Sequence, residues 1–265
     1  MPNAPTYRLL SRVYPDREVL GAAAARDIGD ALVRRLARQP RARVIFASAP
    51  SQEATLRRLA EYPGIDWARV TAFHMDEYLG LPPDAPQRFG TWLRGALLDR
   101  VPVGTVHLID PGPDQNEAVD RYTALLAAAP VDVVCLGIGV NGHIAFNDPP
   151  ADFDEPALVK VVTLDLASRV QQVDDGCFAA LDEVPARAVT LTIPALLSAA
   201  ELFCMVPGAQ KKRAVTDALR GPVTGLVPAS ALRTHPRCRI YLDKESAPDA
   251  SDEASARFRD RVRKL

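Results

Sequence analysis

Apolar residues follow two rhythms along this chain, the helical turn and the short strand, and the two alternate from one end to the other. The first clear stripe is Leu20, Ala24, Ile28, Leu32 and Leu36, one apolar residue about every turn, with Asp16 ahead of it as an N-cap. Residues 1–15 before it read as a short strand or arm. Then come apolar runs too brief for helices, at 43–47, 106–109, 133–136, 159–164, 188–193, 201–206 and 239–242. Such runs suit strands, and those without polar alternation suit strands buried on both faces. Residues 70–78 begin in the same way and end in two adjacent carboxylates, Asp76 and Glu77. Helical stretches are expected to about residue 62, over 89–101, over 116–128, from Lys211 to about 220 and over 229–232. Pro194 opens another, and a charged helix is expected over 253–265. The Pro-rich run 81–86 and residues 149–156 are loops, and 171–182 has no assignable period. Strands alternating with helices predict an α/β fold of three layers, αβα, built on a mostly parallel, doubly wound, Rossmann-like sheet. No repeat or linker divides it, so residues 1–265 are expected to form a single domain.

Polar residues that directly follow strands are the candidates for chemistry, because open α/β sheets bind ligands beyond the carboxyl ends of their strands. The strand at 133–136 runs into Gly137, Gly139 and Gly142, which allow a tight turn and close approach of the backbone to a ligand. Around that turn stand Asn141, His143 and Asp148, an amide, an imidazole and a carboxylate, which is how an acid/base site is built. GxG turns occur in many folds, so a structural turn with a core histidine is the competing reading of these residues. Asp and Glu are poor strand formers, and Asp76 at a strand's end suggests use. After the strand at 43–47, Ser48, Ser51 and Gln52 open a helix whose amides could hold an anion; Ser51 reads equally well as an ordinary helix cap. Lys211 follows the strand at 201–206. Right-handed crossovers would gather these clusters at one edge of the sheet.

Composition narrows the partners. At 48% hydrophobic and 25% charged, with a formal net charge of -1, the chain has no bulk attraction for nucleic acid or acidic membranes. A small molecule is the expected partner, and a homo-oligomer is compatible with the sequence. The four cysteines are widely spaced, with no CxxC or Cys/His cluster to suggest zinc, so neither a metal nor a cofactor is expected. No apolar signal core or membrane-length run is present, so a cytoplasmic protein is expected.

The chain resembles the glucosamine-6-phosphate deaminases, whose fold is shared with 6-phosphogluconolactonases. The resemblance rests on Phe73-His-Met-Asp-Glu-Tyr-Leu-Gly80, Gly137-Ile-Gly-Val-Asn-Gly-His-Ile-Ala-Phe-Asn-Asp148, Ala188-Val-Thr-Leu-Thr-Ile193, Gly208-Ala-Gln-Lys211 and Leu232-Arg-Thr-His-Pro236. The Ala-Phe-Asn-acid that ends the second motif favours the deaminase branch. The resemblance implies ring opening, aldose-ketose isomerisation and deamination of an amino sugar phosphate, in first place glucosamine 6-phosphate to fructose 6-phosphate and ammonia. It assigns His143 to the ring-opening proton, Asn141 and Asp148 to orienting and tuning it, and Asp76 to the proton at C2. Ser51, Gln52, Lys211 and the backbone at Gly139 and Gly142 would bind the substrate and its phosphate.

Three departures stand out. Position 148 is Asp where the family usually has Glu, and position 141 is Asn where some members have Asp. The phosphate loop, usually Thr-Gly-(Gly/Ser)-Thr, is Ala49-Pro50-Ser51-Gln52, and an expected Arg gives way to Asp175-Gly-Cys-Phe178. Lys211 is therefore expected to carry the main charge contact. A lactonase-like hydrolase and a non-catalytic sugar-phosphate sensor are the alternative readings; the sensor lacks a legible basic helix-turn-helix segment.

Overall fold

A computed structural model describes Tyr7 and residues 10–249; the helix expected over 253–265 lies outside the described residues. Asp16 ends the N-terminal strand β1 (Leu10–Tyr14) by accepting from the Val19 amide, which caps α1 (Arg17–Leu36). The predicted stripe of α1 is its buried face, where Leu20, Ala24, Ile28, Leu32 and Leu36 are all buried. Fully burying a side chain as large as Leu or Ile contributes about 1.5–3 kcal/mol, so this stripe fixes the helix against the sheet. β2 (Ala42–Phe46), α2 (Glu53–Ala60) and β3 (Val70–His74) come after it.

The predicted strand at 70–78 is two strands. β3 stops at His74, and β4 (Asp76–Tyr78) leaves for a different sheet. His74 marks the break: its Nε2 accepts from the Ile109 amide at 2.7 Å and its own amide donates to the Tyr122 hydroxyl at 3.1 Å. Its ring is therefore a neutral core acceptor, and burial lowers its pKa to about 3.

Next come α3 (Phe89–Leu93), β5 (Thr105–His107), α4 (Gln115–Ala127), β6 (Val133–Leu136), β7 (Val159–Thr163), α5 (Leu166–Asp174) and β8 (Arg187–Leu191). The chain closes with α6 (Ile193–Leu197), β9 (Glu201–Val206), α7 (Lys212–Arg220) and β10 (Cys238–Asp243). The helix expected over 89–101 is α3 continued by a π-helical turn, Arg94–Leu98, and part of the unassigned 171–182 is the end of α5.

The main sheet has seven strands in the order β1-β10-β9-β6-β2-β3-β5, with every pair parallel. Alternate residues feed two cores. Ile45, Val134, Leu136, Leu202 and Cys204 pack with α4, α6 and α7, while Val44, Phe46, Val133, Cys135 and Phe203 pack with α1 and α2. Two buried faces explain why these strands read as unbroken apolar runs. β4, β8 and β7 form a separate antiparallel sheet that the alternation of strands and helices did not suggest. An aromatic cluster of Tyr78, Phe89, Phe146 and Phe178 fills the space beside it. No described helix is long and apolar enough to cross a membrane.

Candidate active site

β2 leads to β3 on one side of the main sheet and β6 leads towards β9 on the other, so the crevice where order reverses lies between β2 and β6. The cleft there has about 540 Å³ of open space. It is lined by Ser48, Ser51 and Gln52 after β2, Asp76 at the head of β4, Gly137, Gly139 and His143 after β6, and Lys211 before α7. Six of the nine predicted site residues thus meet in one place, although 160 sequence positions separate Ser51 from Lys211.

The turn after β6 is held by the Gly139 amide donating to the His143 carbonyl at 2.9 Å and the Gly142 amide donating to the Gly139 carbonyl at 3.0 Å. A Cβ on Gly139 would come within 2.1 Å of the His143 ring, so only glycine lets the imidazole lie over the turn. Gly142 has φ of 86° and serves the turn, and it is not among the residues lining the cleft.

Asn141 and Asp148 also stand behind the cleft, on the far side of His143. Asp148 Oδ1 lies 3.2 Å from His143 Nδ1 and accepts from Asn141 Nδ2 at 3.0 Å, while Oδ2 accepts from the Asp165 amide at 2.9 Å. Asn141 Oδ1 in turn accepts from the His143 amide at 3.1 Å. Burial opposes the charge on Asp148, but His143, Asn141 and Ser168 outweigh it and hold its carboxyl below the usual carboxylate range.

Asp76 is the opposite case. Buried, and without a cationic partner among the described residues, it has its pKa pushed up to about 8 by burial and then by the adjacent Glu77. Glu77 accepts from the amides of Phe89 and Gly90 at 3.0 and 2.9 Å and therefore anchors the start of α3. Of the two adjacent carboxylates, one is open to the cleft and the other is committed to the fold.

At the other end of the cleft, burial lowers Lys211 to about 8, and nearby Asp175 opposes that shift. The turn carrying Lys211 is fixed by the Gly208 amide donating to Asp243 Oδ2 at 2.9 Å. Gln52 donates from Nε2 to Ser51 Oγ at 3.1 Å and to the Met205 carbonyl at 3.2 Å. Its buried Oε1 and the buried Ser48 hydroxyl have no hydrogen-bond partner among the described residues, and both side chains border the cleft. Pro50 opens a short 3-10 turn ahead of α2 with Ala49 extended, so the loop does without glycines by avoiding left-handed backbone.

Sequence reasoning missed Ser168, Gln171 and Gln172. They stand at i, i+3 and i+4 on α5, all three buried, with both glutamines lining the cleft. That helical spacing of polar residues was a readable signal, hidden because the helix ends inside 171–182, where the period breaks. Phe89 and Phe146 supply the apolar wall. Among the described residues no group of three or more His, Cys, Asp or Glu side chains could hold a metal ion.

A doubly wound α/β sheet with a buried carboxyl and a carboxylate-backed histidine in its crevice defines an enzyme of the proton-transferring kind. The chain belongs to the family of glucosamine-6-phosphate isomerases and 6-phosphogluconolactonases, whose model matches residues 15–240. It is 35% identical over 191 residues to a glucosamine-6-phosphate deaminase of Exiguobacterium sibiricum, covering 72% of this chain and 74% of that one. A glucosamine-6-phosphate deaminase of Rhodopirellula baltica is 33% identical over 242 residues, covering 89% of this chain and 93% of that one. Among solved structures, a monomeric glucosamine-6-phosphate deaminase superposes with a TM-score of 0.82 at 27% identity, covering 90% of this chain and 98% of that one. The 6-phosphogluconolactonase of Trypanosoma brucei reaches a TM-score of 0.75 at 21% identity over 91% of this chain and 98% of that one, a likeness of fold alone.

Proposed function

We propose that the protein is an isomerising deaminase of an amino sugar phosphate, in first place glucosamine 6-phosphate, which with water yields fructose 6-phosphate and ammonia. The observation that carries this reading is the pairing in one cleft of Asp76, a carboxyl lifted to about 8, with His143, an imidazole backed by a carboxylate. Relatives called glucosamine-6-phosphate deaminase support it.

In this reading His143 moves the proton from the C1 hydroxyl to the ring oxygen, which opens the pyranose to an aldehyde. Asp76, as carboxylate, takes the proton from C2, made acidic by the adjacent carbonyl, and the electrons pass through an enolamine. A proton returned to C1 leaves an imine at C2. Water adds there and ammonia departs, so the oxidation of C2 is matched by the reduction of C1. The substrate's own ammonium beside Asp76 favours the carboxylate form that the step needs. Lys211 meets the phosphate as a point charge, with Ser51 and Gln52 beside it.

The reading calls for no second copy, which a monomeric glucosamine-6-phosphate deaminase among the solved structures supports. It places the reaction in the cytoplasm, in keeping with four free cysteines. The test is incubation of the purified protein with glucosamine 6-phosphate, which should release ammonia and fructose 6-phosphate in equal amounts. Base uptake on 6-phosphogluconolactone without any ammonia release would put a lactonase in its place, and binding without turnover a sensor.

A further inference from the structure

Ser168 touches both members of the His143–Asp148 pair. It is fully buried on α5, its Oγ lies 2.8 Å from His143 Nδ1, and it donates a short hydrogen bond to Asp148 Oδ1. The direct contact from Nδ1 to Oδ1 is longer, at 3.2 Å, beyond the range of about 2.7–2.9 Å usual for a charged N–H···O bond. The hydroxyl makes the shorter of the two polar contacts to Nδ1 and bridges it to the carboxylate.

We propose that Ser168 is a positioning residue that fixes the tautomer of His143, relaying the Asp148 carboxylate to Nδ1 and leaving the Nε2 lone pair for the substrate. The proposal rests on the reading of His143 as the group that moves the ring-opening proton.

The supply of protons decides the tautomer. A serine hydroxyl has one hydrogen. Asp148 also accepts from Asn141 Nδ2 and the Asp165 amide, a set of donors that suits a carboxylate and not a carboxylic acid. The serine hydrogen therefore goes to Asp148, since a carboxylate has no proton of its own to place in the contact. What Ser168 offers His143 is a lone pair, so Nδ1 carries the hydrogen. The direct contact to Oδ1 requires the same hydrogen on Nδ1. In the neutral ring Nε2 is then the acceptor, and His143 lines the cleft with no protein partner on Nε2 among the described residues. Asp165 completes the device: its carboxylate caps α5 by accepting from the Ala167 amide at 2.7 Å, while its own amide holds Asp148. The helix that presents Ser168 is thereby tied to the carboxylate that Ser168 serves.

The first measurement needs no substrate. Nitrogen-15 NMR of the histidine rings should show His143 protonated at Nδ1 and bare at Nε2 in the resting protein, and a mixture of tautomers in Ser168→Ala. A wild-type ring protonated at Nε2 overturns the proposal whatever the enzyme acts on. The second is kinetic. Ser168→Ala should lower kcat on cyclic glucosamine 6-phosphate about tenfold to hundredfold, the scale of one charged hydrogen bond, with KM within about threefold. Asp148→Glu in the Ser168→Ala background, a carboxylate one methylene longer in the space vacated by the hydroxyl, should recover part of that loss. Unchanged kcat and tautomer in a folded Ser168→Ala protein would overturn the proposal while leaving the deaminase reading intact. An Nδ1-protonated ring in a protein that releases no ammonia would have the reverse meaning.

Discussion

Burial brings Asp76 and Lys211 to about the same pKa, about 8, from opposite directions, and this makes both groups sensitive to pH in the working range. For Asp76 the ordinary value is near 3.8, so the folded state keeps a proton that the unfolded state has already lost. The stability this carboxyl contributes is complete below its ordinary pKa and is lost as pH rises through about 8. Asp76→Asn should therefore be more stable than the wild type at pH 8, by an amount on the order of a few kcal/mol that fades towards pH 4, as urea titrations at both pH values would show. The same substitution should abolish solvent exchange at C2 while leaving substrate binding nearly intact; exchange at the wild-type rate would remove Asp76 from the role of base. Under the proposed function Lys211 supplies the charge for the phosphate, and losing one charged hydrogen bond costs about 1.5–3 kcal/mol. Lys211→Ala should raise KM tenfold or more, and unphosphorylated glucosamine should be a far poorer substrate; an unchanged KM would move the phosphate elsewhere. Residue types at strand ends made Asp76, His143 and Lys211 legible in the sequence. Ser168 was legible only as one member of a polar helical stripe; its place between His143 and Asp148 was not, because a serine inside a helix does not declare its partners across the fold.

Among the elements, the short β4 matters more to the site than the longer β3 before it. The two look like one run in the sequence because both are buried throughout, and period alone cannot say which sheet a buried residue joins. The break at Met75 lets β4 pair with β8, with Asp76 opposite Thr190, and so carries the carboxyl into the cleft. Glu77 then pins α3, whose Phe89 forms part of the cleft wall. Glu77→Ala should leave the three buried amides of Tyr78, Phe89 and Gly90 without their acceptor and take away the carboxylate 3.7 Å from Arg88 Nε, a loss of about 3 kcal/mol or more by denaturant unfolding, with Glu77→Gln less damaging. A neutral result would mean that α3 is held by its aromatic contacts alone. The stretch 171–182 resisted assignment because it joins the end of α5 to irregular backbone and a 3-10 turn, three conformations with no shared period.

At the scale of the whole molecule, the proposed acid, base and phosphate contact, His143, Asp76 and Lys211, lie on the same copy of the chain. Activity per milligram should stay constant on dilution from micromolar to nanomolar protein, read by ammonia release alongside a sizing measurement. A fall in activity that tracks dissociation would show that a second copy completes the site. The sequence by itself determined the order of strands and helices, the parallel sheet and the acid/base motif after β6, because burial on both faces, helical period and glycine turns are local properties that a chain carries wherever it folds. Only the tertiary structure decided that β4, β7 and β8 form a second sheet and that Ser168 joins His143 to Asp148. It also decided that the Gly142 amide closes the turn on the Gly139 carbonyl. Those outcomes depend on which distant segments meet, and on the desolvation and hydrogen bonds that result, and neither is written in the spacing of residues along the chain.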